Sequence, residues 1–88
     1  MITFDDAKTR AEELLDAEVR PWVDDEVVID ASVTVRAESY WVFFYNTRAY
    51  FETRSMVHAL AGNGPVIVSA HDGRARLASS AKPWEDQV

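Results

Sequence analysis

Histidine and carboxylate side chains are the groups of this 88-residue chain that could act as acids, bases or metal ligands. The two histidines are His58, in a predicted helical turn, and His71, at a predicted hairpin tip. Neither has a second ligand at a suitable spacing, and the chain contains no cysteine, whereas a zinc site takes three or four ligands. We therefore expect no metal site and no bound cofactor.

The carboxylate pairs lack the arrangement that acid–base catalysis needs. Asp5-Asp6 and Asp24-Asp25 are neighbours in sequence rather than groups that face each other across a cleft. The first pair suits the positive N-terminal end of a helix, and the second suits a solvated loop. Since no Gly-x-Ser-x-Gly segment is present either, we expect that the protein is not an enzyme.

The glycine-containing segment 62–65, with the sequence GNGP, allows two interpretations. Two glycines can bring a backbone close to a phosphate group. However, no lysine follows, and Pro65 leads into Val-Ile-Val rather than into the start of a helix. We therefore interpret the segment as a tight turn that precedes a buried strand.

The net charge of −6 is concentrated in the first third of the chain. Residues 1–30 contain ten acidic and three basic residues, whereas residues 31–88 contain five acidic and six basic residues. Nucleic acid is a poor partner for such a chain, since its binding depends on contacts of Lys and Arg with phosphates. A basic protein would be attracted, and we predict that Glu12, Glu13 and Asp16 contact it. The alternative is that the acidity only keeps the protein soluble.

The length and the hydropathy pattern predict a single domain, residues 1–88, in the cytoplasm. No apolar run approaches the roughly 20 residues that span a bilayer, so we expect no membrane association. The N-terminus also lacks the basic and then apolar pattern of a secretion signal.

The spacing of apolar residues changes from helical to strand-like after Pro21. Spacings of three and four predict a helix over residues 3–18, and an alternation that only Val28 breaks predicts one half-buried strand over residues 26–36. Four further strands are predicted, at 40–46, 49–53, 66–68 and 74–79. They are joined to the rest of the chain by turns at 37–39 and 46–48, by helical turns at 55–61 and by a hairpin at Asp72-Gly73. The tail is expected to dock through Trp84. Short connections favour antiparallel neighbours, so the fold class is α+β, with one N-terminal helix packed across a four- to five-stranded antiparallel meander sheet.

The segment 40–46, YWVFFYN, offers large apolar side chains to both faces of its strand. One helix covers one face of a sheet, so the second face needs another cover. Residues 55–61 and Trp84 are few and short, and we expect a protein partner or a homodimer to complete the cover. We assign the face of Trp41, Phe43 and Tyr45 to the partner, because Trp and Tyr tolerate a wet interface.

The order YWVFFYNTRAYFET, ALAGNGPVIV, a DG hairpin and a final AKPWED resembles the immunity protein 35 family, also described as YrhB-like domains. The similarity runs from the opening helix to Trp84, and its most specific parts are 41–45, 48–53 and 60–65. Arg54 is a departure, because glycine often follows the Glu-Thr pair in the family. We expect a different turn at that position.

The resemblance implies a small α+β protein, encoded in bacteria beside toxin genes, that binds and neutralises a cognate toxin without catalysis. For one branch of the family it implies chaperone-like behaviour instead. Two hypotheses follow: an immunity protein that occludes a basic toxin domain, or a chaperone-like or dimeric module that binds apolar segments through its aromatic sheet face. The resemblance carries no binding residues over to this chain.

Overall fold

The computed structural model describes residues 1–60 and 64–88 of the chain. These residues form two α-helices, six short strands and four 3₁₀ turns. The helices are α1, Phe4–Glu18, and α2, Arg48–Thr53. The strands are β1 (Val27–Ile29), β2 (Val35–Arg36), β3 (Tyr40–Phe43), β4 (Tyr45–Thr47), β5 (Val66–Ser69) and β6 (Ala75–Leu77). The 3₁₀ turns are Arg20–Trp22, Ala31–Val33, Met56–His58 and Trp84–Gln87.

The N-terminal helix lies where the sequence predicts it. Thr3 caps α1, because its hydroxyl accepts a hydrogen bond of 3.2 Å from the Asp6 N–H. Ala7, Ala11 and Leu15 recur on one stripe of the helix and are completely buried. The predicted helix is confirmed, and its apolar stripe forms one side of the main core.

All strand pairs are antiparallel, and they form two sheets rather than one meander. The larger sheet has the order β2-β3-β5-β6, and the smaller one pairs β1 with β4. The α+β class, with its N-terminal helix packed across a four-stranded antiparallel sheet, is confirmed. The smaller sheet is an addition to the predicted meander, because the chain passes from it into the larger sheet after β1 and returns to it after β3.

The first change of sheet is at residues 31–33, inside the single strand predicted over 26–36. Asp30 accepts hydrogen bonds from the Ser32 N–H (3.1 Å) and the Ser32 hydroxyl (2.5 Å), and this local bonding folds Ala31–Val33 into a 3₁₀ turn. Alternation of apolar residues does not report such a competing side-chain bond, so the prediction of one continuous strand is wrong.

The second change of sheet lies opposite the first, at Phe44. The Asp30 N–H donates to the Phe44 carbonyl over 2.9 Å, and this bond marks the point where both segments of the chain pass from one sheet to the other. Ile29 lies opposite Tyr45, and Val35 lies opposite Val42. The first segment therefore advances six residues between these pairs, while the second advances three. The three extra residues are the 3₁₀ turn. The predicted strand at 40–46 is therefore real, but it is divided between two sheets.

The predicted turn at 46–48 and strand at 49–53 are wrong, since α2 occupies this region. The Thr47 hydroxyl accepts from the Tyr50 N–H (3.0 Å) and donates to the His58 carbonyl (2.6 Å), so it caps α2 and fixes the next turn against it. Arg54 ends α2 with a left-handed backbone (φ 56°), the conformation that glycine usually supplies at a helix C-terminus.

The C-terminal predictions agree better with the structure. Strand β5 and the hairpin at Asp72-Gly73 are confirmed, with Gly73 in the left-handed region at φ 74°. The helical turns predicted at 55–61 reduce to the 3₁₀ turn Met56–His58 in the described part. Residues 62 and 63 of the turn predicted at 62–65 lie outside the described residues. A Cβ atom at Gly64 would collide with the Ala78 backbone, so close packing requires glycine there.

Candidate protein-binding surface

The aromatic residues that we assigned to a partner lie on the inner side of the sheet. Phe43 is completely buried, and its ring centroid is 5.8 Å from that of Phe4 on α1. Trp41 packs edge-on against the same Phe4 ring at 5.6 Å, and Tyr45 is packed against the same core. The structure corrects the face assignment, because α1 covers the side that we left for the partner.

Tyr45 also has a polar role in this core. Its hydroxyl donates to the Gly64 carbonyl over 2.9 Å, and burial raises the pKa of Tyr45 to about 12. A tyrosine held in this way stays protonated and neutral over the ordinary pH range. Its side chain therefore stabilises the core and is not available as an anchor for a partner.

The opposite face of the larger sheet is covered by the C-terminal tail. The Trp84 ring lies 6.3 Å from Tyr40 and 6.5 Å from Phe44, over a small core of Val42, Ile67 and Ala78. The predicted docking of Trp84 is confirmed. Our reason for expecting a homodimer was an uncovered face, and that reason no longer applies, although the homodimer itself stays a prediction.

The side-chain amide of Gln87 holds this tail in place. It donates to the Ser79 carbonyl (2.8 Å) and the Lys82 carbonyl (3.1 Å), while its oxygen accepts from the Ser79 N–H (2.6 Å). These bonds close residues 79–87 into a loop that carries Trp84. The tail therefore has its own internal anchor.

The three predicted acidic residues lie together on the outer side of α1. Glu12, Glu13 and Asp16 line one shallow depression that also includes Asp5, Lys8 and Thr9. Glu13 and Asp16 are exposed and Glu12 is half-buried. The structure therefore brings these carboxylates onto one open surface, on the side of the helix that faces away from the sheet.

Arg20 connects this acidic surface to the smaller sheet. Its guanidinium donates to the carboxylates of Glu12 (2.9 Å) and Asp16 (2.8 Å) and to the Val27 carbonyl (2.7 Å). Partial burial disfavours its charge, but the hydrogen bonds to the two carboxylates outweigh that effect and raise the pKa of Arg20. We call this set of contacts the Arg20 clasp.

Apart from Met1, Val33 and Val88, the exposed large apolar side chains of the described residues lie at two places. Trp22 is 84% exposed, directly after the Arg20 clasp, and Met56 (77%) and Val57 (87%) project from the 3₁₀ turn that follows α2. Sequence reasoning missed Trp22. The available signal was a tryptophan that follows a proline and lies between acidic residues, outside any apolar stripe.

Neither histidine belongs to a ligand cluster in the described part of the chain. His58 is half-buried in its 3₁₀ turn, and His71 is exposed in the β5–β6 hairpin. Across residues 1–60 and 64–88, no three side chains of the metal-ligating types come together. No helix in the same ranges has the length and apolar character to cross a bilayer.

Comparison with known proteins gives two matches. The model of the family described as immunity protein 35 matches residues 5–87. An Escherichia coli (strain K12) protein, named as the uncharacterized protein YrhB, is 30% identical over 88 residues, which are 100% of this chain and 86% of that protein. No solved structure matches.

Proposed function

Because the chain belongs to the immunity protein 35 family, we propose that it is a non-catalytic cytoplasmic protein that binds a cognate bacterial toxin and neutralises it by occlusion. The partner is a basic toxin domain. The observation that carries this proposal is the open acidic surface of Glu12, Glu13 and Asp16 on α1, in a segment where ten acids outnumber three bases. A field of this sign speeds encounter with a basic protein.

The location of the acidic surface supports binding without a change of fold. Carboxylates on the outer side of α1 can approach a partner while the apolar stripe of the helix stays packed on the sheet. The Arg20 clasp orients Glu12 and Asp16, so less side-chain freedom is lost on binding. Lys8 and Arg10 lie within 4.0 Å of Glu12 and Glu13, and Arg20 pairs with Glu12 and Asp16, so the excess of acid is that of the six acids of α1 over these three bases.

A chaperone-like module that binds apolar segments through the sheet has no such support. That hypothesis depended on an uncovered aromatic face, and α1 and Trp84 cover the two faces of the larger sheet. We therefore retain the immunity role as the single proposal.

The direct test is neutralisation of the toxin domain encoded beside the gene for this chain. We expect inhibition that saturates at one chain per toxin domain, since occlusion blocks each active site once. Loss of toxin activity without a stable complex would contradict occlusion. Absence of both binding and inhibition would contradict the immunity role as a whole.

The acidic surface can be tested separately with the triple variant Glu12→Gln, Glu13→Gln, Asp16→Asn. The amide oxygens can still accept from Arg20, so only the charges are lost. We expect the association rate to fall several-fold to tenfold at 10 mM salt, and the difference to vanish near 0.5 M salt, where the Debye length is a few ångströms.

The matched control removes three acidic charges elsewhere, with the variant Glu38→Gln, Glu85→Gln, Asp86→Asn. Its net charge changes by the same amount, but Glu85 and Asp86 belong to the tail on the other face of the sheet. We expect this control to lower the association rate clearly less than the α1 variant does. Equal effects of the two variants would show that only net charge matters and that α1 is not the contact surface.

A further inference from the structure

Trp22 has an exposure that packing does not explain. Isolated exposed apolar residues are common on protein surfaces, but a tryptophan is rarely among them at 84% exposure. Burial of a tryptophan removes roughly 150–250 Å² from water, which makes it an effective anchor in a protein interface.

The turn that carries Trp22 is fixed on both sides. Val19 is 4% exposed and Val23 is packed against the same core, so the residues around the turn are anchored. The Val23 N–H donates to the Arg20 carbonyl over 3.2 Å, and Pro21 restricts the backbone between them. Together with the Arg20 clasp, these contacts leave Trp22 on a rigid turn.

The surroundings of Trp22 are strongly acidic. Residues 16–26 contain five acids and one base; Arg20 pairs with Asp16 and Glu26 pairs with Arg48, so Glu18, Asp24 and Asp25 carry the excess of acid beside Trp22. Asp24 and Asp25 are exposed, and their Cα atoms lie within about 8 and 11 Å of that of Trp22, by chain length alone. Negative side chains thus lie close to one exposed indole.

An interface of standard size also needs more surface than α1 offers. Such an interface takes about 800 Å² from each partner. The 15 residues of α1 form a cylinder about 22 Å long and about 11 Å wide, whose outer side presents roughly a third of that area. The turn directly after α1 is the adjacent surface that would extend the contact, and Trp22 is its exposed apolar residue.

We propose that Trp22 is the apolar anchor of this binding surface, inserting into an apolar pocket of the partner protein that is ringed by Lys and Arg side chains. The inference rests on the proposed immunity function, which supplies the basic toxin domain as the partner. Binding buries the indole in the pocket, and the surrounding carboxylates face the basic rim.

A second copy of this chain fits the site less well. A symmetric contact through Trp22 would bring two sets of five acidic residues together, and like charges at an interface oppose association. The pair Met56 and Val57 is also exposed, but the nearest charged residues in sequence are one acid, Glu52, and one base, Arg54, so this pair has no acidic surround to attract a basic rim. This pair therefore provides a control.

The test compares Trp22→Ala with Met56→Ala in binding to the inactivated toxin domain encoded beside this gene. Trp22→Ala should weaken binding at least about 30-fold, mainly through faster dissociation, and equally at low and high salt. Met56→Ala should change it less than threefold. Asp24→Asn with Asp25→Asn should instead slow association at low salt. The melting temperature of each variant should stay near that of the wild type, since all these side chains are exposed.

The outcomes separate this inference from the function on which it rests. If the wild type binds and Trp22→Ala binds within threefold of it, the anchor is wrong and the immunity role stands. If the wild type does not bind, both fall. Sedimentation adds one further outcome: a wild-type dimer that Trp22→Ala converts to a monomer would overturn the basic partner and assign Trp22 to self-association.

Discussion

The two faces of the larger sheet are covered in different ways. On one face, α1 packs a continuous stripe of buried residues against Phe43, Val66 and Val68. On the other face, a single residue of the tail, Trp84, lies over Val42 and its neighbours. The difference shows that a strand with apolar side chains on both sides does not require a partner, because one aromatic residue on a short anchored loop can close the smaller face.

The comparison also shows where binding can take place. Both faces of the larger sheet are covered within the chain, whereas the outer side of α1 and the Trp22 turn remain open. A partner can therefore bind without disturbing the core. It follows that substitutions in the sheet should change stability, and substitutions on the outer surface of α1 should change binding.

The largest effect is expected for Phe43→Ala, on the face that α1 covers. Phe43 is completely buried, and truncation of such a residue costs about 3–5 kcal/mol of unfolding free energy. Phe44→Ala, on the face covered by the tail, should cost clearly less, because Phe44 is only half-buried. Urea unfolding of both variants measures the difference. Equal losses of unfolding free energy would contradict the expectation that the core beneath α1 contributes more than the core beneath the tail.

A smaller effect is expected for Trp84→Ala, about 2 kcal/mol, because Trp84 is half-buried and its loss uncovers the second face. A dye that reports exposed apolar surface should bind this variant and not the wild type. Trp22→Ala is the matched control, and its stability should lie within about 0.5 kcal/mol of the wild type. Equal dye binding by Trp84→Ala and the wild type would show that the tail does not close this face.

The smallest effect concerns Tyr45 in the core beneath α1. Tyr45→Phe should cost about 1 kcal/mol at neutral pH through loss of the hydrogen bond to the Gly64 carbonyl. In the wild type, an unfolded tyrosine ionises near pH 10, whereas the folded Tyr45 has a pKa of about 12. The unfolded state therefore loses its proton first, and wild-type stability should fall as the pH rises from about 10 to 12.

Tyr45→Phe removes this ionisation and should flatten the alkaline decline. Tyr50→Phe keeps Tyr45 in place and should retain the wild-type pH dependence. Unfolding midpoints at pH 9 and pH 11.5 measure both. A decline that is unchanged in Tyr45→Phe would show that Tyr45 is not held neutral by the core.

The elements that the sequence predicted well are those with local signals. Thr3 and the helical stripe define α1, and Asp72-Gly73 defines the last hairpin. The errors occur where a side chain forms hydrogen bonds with backbone groups that a strand would otherwise use. Asp30 replaces strand bonds with bonds to Ser32, and Thr47 caps a six-residue helix in a segment rich in strand-forming residues.

The proposed binding surface was predictable only in part. Local excess of acid identified Glu12, Glu13 and Asp16 as a group, and the structure puts them on one surface. The face of Trp41, Phe43 and Tyr45 could not be assigned, because alternation gives two faces without saying which one the helix covers. Trp22 was missed because its exposure depends on how Arg20 fixes the turn, which is a tertiary property.

Amide hydrogen exchange of the chain alone and in complex with the inactivated toxin domain tests the location of the binding surface most directly. We expect slower exchange in the complex for the amides of residues 22–26 and of α1. We expect no change in β3, β5 and the tail 79–88, which pack within the chain. Protection confined to the sheet or the tail would contradict binding of the partner on the acidic surface beside Trp22.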